Sequence, residues 1–218
     1  MRSPAVAFDL DGTLVDSIPD LHAAAAATLA AEGRPPLPPE TIRSFVGNGL
    51  PKLVERITAA SGLPAAEHPR LLAAFSARYA AAPAALTRPY PGVPEALARL
   101  RAAGCRLGLC TNKPEAMTRS ILAAFGLAFD ALACGDTFPV RKPDPLPLLE
   151  TVRALGGPPA LYVGDSEVDA ETAARAGLPF LLFRGGYCHV PHRTLASAAA
   201  FDDFAELPAL VARVQPKV

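Results

Sequence analysis

Surplus charge of either sign is what this 218-residue sequence most plainly lacks, with 21 Lys and Arg facing 21 Asp and Glu. Without a basic field, nothing here would hold nucleic acid or an anionic membrane surface, and any bound anion must be met by a local site. Cysteines are few: Cys105, Cys110, Cys134 and Cys188, none of them spaced as Cys-x-x-Cys. No apolar run is long enough to span a bilayer. Met1-Arg2-Ser3-Pro4 leads into a short apolar strand, not into the longer apolar stretch of a secretory signal. The expectation is a reduced, cytoplasmic protein with no nucleic-acid or membrane partner, acting as a monomer or homodimer. Cys188-His189-x-x-His192 offers soft metal ligands, but three residues in a proline-containing loop do not complete a zinc site. Gly47-x-Gly49 lacks the preceding strand and third glycine of a dinucleotide fingerprint.

What is present is apolar bulk: half of the residues are hydrophobic, ample for a core domain with a smaller insert. Four short apolar runs, at 5–8, 106–110, 160–163 and 179–183, read as strands buried on both faces, and 131–134 is a weaker fifth. Between them lie helical segments at 93–103, 115–125, 145–155 and 167–176, followed by Gly104, Gly126, Gly156 and Gly177 where a helix end favours glycine. Strand alternating with helix implies a doubly wound parallel sheet of the α/β class. From about 17 to 87 the rhythm breaks, and only helices are predicted, at 21–31, 40–46, 50–60 and 69–81. The layout is a split core, 1–16 with 88–218, enclosing a small all-helical cap at 17–87, and Arg88-Pro89-Tyr90-Pro91-Gly92 is the return linker.

In open α/β sheets, ligands bind beyond the carboxyl ends of the strands. There the sequence places Asp9-Leu10-Asp11-Gly12-Thr13, then Thr111-Asn112-Lys113, then Gly164-Asp165-Ser166-Glu167-Val168-Asp169, with Lys142-Pro143 on the loop after the weaker strand. This set suits phosphoryl transfer. Asp9 and Asp165 offer hard oxygens to one Mg²⁺, and a carboxylate such as Asp9 can attack phosphorus to give an acyl phosphate. Asp11 could protonate the departing alkoxide and then deprotonate water. Thr111 and Asn112 can donate to phosphate oxygens, and Lys142 supplies positive charge where negative charge accumulates. Each motif alone has a plainer reading: a turn, a solvated loop charge, or, for Asp165-Ser166, a helix N-cap. An EF-hand is excluded because Gly12 falls at the fourth loop position instead of the sixth.

With these residues in this order, the sequence resembles the haloacid dehalogenase superfamily phosphatases over essentially its whole length. Asp9-Leu10-Asp11-Gly12-Thr13 matches that family's first motif, Thr111-Asn112 its second, Lys142-Pro143 its third, and Gly164-Asp165-Ser166-x-x-Asp169 its fourth. The resemblance implies a Rossmann-like core, and Mg²⁺ held by the Asp9 carboxylate, the Asp11 backbone carbonyl and Asp165. It implies Asp169 as an outer partner ordering the metal's waters, and a cap that closes over the substrate.

Phe45-Val46-Gly47-Asn48-Gly49-Leu50, Thr87 to Val93 and Tyr162 to Ala176 further resemble bacterial phosphoglycolate phosphatases, which points to 2-phosphoglycolate, a small phosphomonoester, as substrate. A cap loop of Gly47, Asn48 and Gly49 suits close approach to so small a molecule, although the glycines could instead only cap helices. Arg43 and Lys52 are the cap's candidates to meet a substrate carboxylate, and each is equally a solvated surface charge. Phosphonoacetaldehyde hydrolases, whose lysine motif Gly49-x-x-Lys52 loosely mimics, and haloacid dehalogenases both lack the second aspartate present here as Asp11. β-Phosphoglucomutases and sugar or nucleotide phosphatases remain open alternatives. A non-catalytic binding protein on this scaffold would have lost one of Asp9, Asp11, Lys142 or Asp165, and none is missing.

Overall fold

A computed structural model describes residues 4–214. Its centre is a six-stranded, all-parallel sheet made of β1 (Ala5–Phe8), β4 (Arg106–Cys110), β5 (Ala131–Ala133), β6 (Ala160–Gly164), β7 (Phe180–Phe183) and β8 (Ala199–Phe201), in the order β5-β4-β1-β6-β7-β8. The first strand is central, and every one of its residues is buried. Alternate side chains feed opposite layers. Val6 and Phe8 join Leu107, Leu161 and Phe183 under α5 (Val93–Ala102), α6 (Glu115–Ala124) and α9 (Leu207–Val214). Ala5 and Ala7 join Cys110, Tyr162 and Leu182 under α7 (Leu146–Ala154) and α8 (Glu167–Ala176). Helices on both faces explain why these strands read as continuous apolar runs without alternation.

Neither β8 nor α9 was expected from the sequence. Ala199–Phe201 is only three residues within an alanine-rich stretch, too short to show a period, and it pairs with one neighbour, β7. Elsewhere the bounds move by a few residues. The first cap helix starts earlier than expected, at Ile18, with Pro19 in its first turn, where a missing N–H costs nothing. The expected helix at 40–46 stops at Arg43, because the chain turns out of helical geometry before Gly47 (φ +125°).

The cap consists of α1 (Ile18–Ala31), α2 (Pro39–Arg43), α3 (Leu50–Ala60) and α4 (His68–Ala81), packed around Leu21, Leu29, Leu53, Ile57, Phe75 and Tyr79. The chain leaves and re-enters the core through a two-stranded antiparallel ribbon of β2 (Val15–Asp16) and β3 (Arg88–Pro89). Buried Asp20 fastens this crossing: its carboxylate accepts from the Leu86 and Thr87 N–H groups and from the Thr87 hydroxyl, at 2.7–3.0 Å. Among the described residues, no helix is long and apolar enough to cross a membrane.

Asp20→Ala would leave two main-chain N–H groups without their acceptor and the Thr87 hydroxyl with only a long contact to the Pro83 carbonyl, at 3.4 Å. Each such unmet group costs about 1–3 kcal/mol. Chemical denaturation should show a loss of at least that size, whereas a loss below about 0.5 kcal/mol, the range of an ordinary surface change, would rule out this role.

Candidate active site

Three sheet strands and one loop deliver their polar residues to one end of the sheet. Asp9 follows β1 directly, and the next residues fold into a tight turn in which Leu14 and Val15 donate N–H bonds back to the Leu10 carbonyl. Gly12 makes that turn possible. Its φ is +86°, and a Cβ there would lie 2.5 Å from Asp165 Oδ2. The turn also aims Thr13, whose hydroxyl donates to Asp165 Oδ1 at 2.7 Å.

At the centre is the ammonium of Lys142, almost wholly buried. It donates to Asp169 Oδ1 at 2.7 Å and to the Tyr162 hydroxyl at 2.9 Å, and it lies 2.8 Å from Asp9 Oδ1. Burial works to lower the Lys142 pKa, but Asp169 and Asp9 outweigh it and hold the group above the ordinary lysine value. Asp169 owes its place to a helix start. Ser166 is the N-cap of α8, and Asp169 is the third residue of its capping box, accepting from the Ser166 N–H and hydroxyl through Oδ2. Gly164 permits this packing, since a Cβ there would sit 2.4 Å from the Asp169 Cβ.

Asp9, Asp165 and Asp169 bring carboxylate oxygens within 4.8 Å of one another. Burial pushes the Asp9 carboxyl up to about 7, against the pull of Lys142. Burial, with the charges of Asp169 and Asp9, also drives Asp165 well above the carboxylate range. Asp169 moves the other way, because Lys142 and its other donors overcome its burial. Asp9 Oδ1 is buried and has no hydrogen bond in spite of its contact with Lys142. Two buried carboxylates that favour protonation, one with an unmatched oxygen, are a donor set that fits a hard divalent cation.

Above Asp9 lies a cavity of about 40 Å³. Its core side is formed by Asp9, Asp11, Thr111, Asn112, Lys113 and Lys142, and its roof by Leu21, Val46, Gly47, Gly49, Leu50 and Leu53 from the cap.

A family model for haloacid dehalogenase-like hydrolases matches residues 4–177. The chain belongs to that family. A phosphoglycolate phosphatase of Cereibacter sphaeroides is 51% identical over 97% of this chain and 99% of its own length. One from Rhodospirillum rubrum is 44% identical over 93% and 88%. Among solved structures, a predicted phosphoglycolate phosphatase from Haemophilus somnus superposes with a TM-score of 0.91 at 31% identity, covering 97% of this chain and 99% of that one. CbbY of Rhodobacter sphaeroides, solved in complex with phosphate, gives 0.76 at 28% identity, covering 93% and 95%.

In this hydrolase the residues singled out from the sequence do not all gather at the cavity. Asp9, Asp11, Thr111, Asn112 and Lys142 line it, as do Gly47 and Gly49 from the cap. Asp165 and Asp169 stand just beneath. Asn112 departs from its expected part, because its side-chain amide is already taken up. Nδ2 donates to the Gly47 and Lys142 carbonyls and Oδ1 accepts the Lys142 N–H, all at 3.0 Å. It ties the cap loop to the lysine loop, and its side chain has no donor left for phosphate. Asp169 has both oxygens occupied by Lys142, Tyr162 and the start of α8, and so steadies the lysine.

Three cap residues point elsewhere. Asn48 accepts from Arg56 at 3.0 Å, Lys52 pairs with Glu55 on an exposed face, and Arg43 lies over the Tyr187 ring at 5.0 Å. The sequence reading, in turn, assigned no task to several residues that shape the site. Lys113 donates to both oxygens of Asp11, at 2.8 and 2.9 Å. Tyr187 donates its N–H to Asp165 at 2.6 Å and its hydroxyl to Asp16 at 2.7 Å. The adjacency of Lys113 to the Thr111-Asn112 pair was a signal for the first, and nothing local marks the second.

Asn112→Ala removes the acceptor of the Lys142 N–H and the tie to Gly47. Hydrogen exchange of the Lys142 amide should accelerate at least tenfold, the equivalent of losing about 1.4 kcal/mol of protection. Unchanged exchange would mean that Asn112 holds neither loop.

Proposed function

We propose that this hydrolase is a Mg²⁺-dependent phosphatase that cleaves a small phosphomonoester, 2-phosphoglycolate, through an aspartyl-phosphate on Asp9. One observation carries the reading: a buried carboxylate beside a buried lysine opens into a cavity of about 40 Å³, roofed by glycine and aliphatic cap residues. A closed roof of small and aliphatic residues over the reactive groups favours a small substrate. Relatives up to 51% identical over nearly the whole chain bear the name phosphoglycolate phosphatase, which supports the substrate.

In this reading Asp9 attacks phosphorus, and the alcohol leaves with a proton from Asp11. Asp11 then takes a proton from the water that cleaves the acyl phosphate. Lys142 and the Thr111 hydroxyl hold the phosphoryl oxygens. The carboxylates of Asp9 and Asp165 and the backbone carbonyl of Asp11 would hold the metal. Bound Mg²⁺ supplies the positive charge that offsets repulsion between carboxylate and phosphate. The cap, taken as 17–87 between core segments 1–16 and 88–218, keeps water from the phosphoryl group until the alcohol has left.

The test is phosphate release by the full chain with Mg²⁺, compared across phosphoglycolate, hexose phosphates, nucleotides and pyrophosphate. Phosphoglycolate should give the highest kcat/KM, and Asp9→Asn, nearly isosteric, should abolish turnover while preserving the circular dichroism spectrum. A hexose phosphate in first place, or an Asp9→Asn variant within tenfold of wild type, would overturn the reading.

Protons and Mg²⁺ compete for the raised carboxyls of Asp9 and Asp165. Asp9 titrates near 7 without metal, so falling pH fills it with a proton and weakens the ion's hold. The gain in Tm on adding Mg²⁺ should therefore grow as pH rises from about 5 to about 8, as scanning fluorimetry would record. A gain independent of pH would contradict this assignment.

A further inference from the structure

We propose that Lys113 is the residue that recognises the substrate's second anionic group, a carboxylate borne on the alcohol side of the phosphate ester. This rests on the phosphatase reading above and adds the group that selects the leaving alcohol. The cap contributes only Leu21, Val46, Gly47, Gly49, Leu50 and Leu53 to the cavity, with no cation among them. The charged cap residues are turned away, Lys52 to Glu55 and Arg43 to Tyr187. A carboxylate enclosed under such a roof must find its counter-charge on the core side, since an unpaired buried anion is strongly disfavoured.

The core offers two ammonium groups to the cavity. Lys142 donates to Asp169 and Tyr162 and lies against Asp9, at the end where phosphorus must sit, so its remaining donor serves the phosphate. Lys113 is equally buried, yet its charged partner is a single residue, Asp11, both of whose oxygens accept from it. An ammonium has three donors, and the one not taken by Asp11 lies toward the Tyr79 hydroxyl, a neutral partner that a ligand carboxylate would displace. Tyr79 of α4 lies against the same ammonium, with the nitrogen 4.7 Å from the ring centroid, and shields it from water on the cap side. With phosphate near Lys142 and carboxylate near Lys113, the bridging ester oxygen falls in the part of the cavity that Asp11 also lines.

Lys113→Met keeps the stem and its contact with Tyr79 while removing the charge. Because the change also releases Asp11, the informative quantity is a ratio. The kcat/KM for phosphoglycolate is divided by that for 2-hydroxyethyl phosphate, which has the same two carbons and a neutral end. Damage to Asp11 lowers both and cancels. Wild type should favour phosphoglycolate, and Lys113→Met should collapse that preference by about 10²-fold, the usual scale for a lost charged partner. Lys113→Arg should keep part of it. A preference that survives Lys113→Met unchanged would overturn the proposal while leaving the phosphatase reading intact. A wild type with no preference for the carboxylate would overturn the proposal and the choice of phosphoglycolate as substrate, with phosphatase activity itself still measured.

Calorimetry on the wild-type protein with Mg²⁺ gives a check that needs no variant. 3-Phosphonopropionate should bind at least tenfold more tightly than propylphosphonate, which replaces the carboxylate by a methyl group. Equal affinities would overturn the assignment of a carboxylate subsite.

Discussion

The buried ammonium of Lys142 governs the organisation of the catalytic end of this molecule. A lysine nitrogen removed from water costs several kcal/mol unless opposite charge and hydrogen-bond acceptors surround it. Here Asp169, Tyr162 and Asp9 do so, and each arrives from a different part of the fold: the first turn of α8, the middle of β6 and the end of β1. Three separate structural features are thereby held in one geometry. The arrangement also leaves Asp9 poised, its negative charge drawn toward Lys142 while burial resists ionisation. A hard cation relieves that tension, which is why the site's electrostatics and its chemistry cannot be separated.

Around this fixed centre the cap is attached both by apolar contact, since Met117 and Tyr187 of the core join the cap's hydrophobic cluster, and by hydrogen bonds. Asp20 fastens the crossing chains, Asn112 reaches up to the Gly47 carbonyl, and the Tyr187 hydroxyl accepts from the Ser17 N–H at the cap's root. Gly49 lets the roof come close, since a Cβ there would stand 3.2 Å from the Asn112 carbonyl. The core supplies the reactive groups common to phosphate esters, and the small space under the cap sets how much alcohol can accompany them.

Much of this was legible before any coordinates. Strands buried on both faces leave an apolar signature that turns and charges interrupt sharply, so Asp9, Asp11, Thr111, Lys142 and Asp165 could be placed at strand ends from order alone. The helical insert announced itself as a stretch without strands. Short elements did not: β8 has three residues, and no period can be read from three. Bounds in the cap moved where Pro19 and Gly47 set the backbone, a local effect that alanine-rich helices blur.

The cap side chains resisted reading for a different reason. Arg43, Asn48 and Lys52 were plausible substrate contacts by charge and position, yet which way a helix turns its faces depends on what packs beneath it. That is fixed by Leu53, Phe75 and Tyr79 in the cap core. The pairing of Lys113 with Asp11 spans 102 residues, and that of Tyr187 with Asp165 links two loops through a β-strand and a helix. The sequence by itself determined which polar residues of this protein meet at one edge of the sheet, because strand order carries them there. Tertiary structure alone decided which charges face the substrate, because that depends on contacts between segments far apart in the chain, which no local pattern encodes.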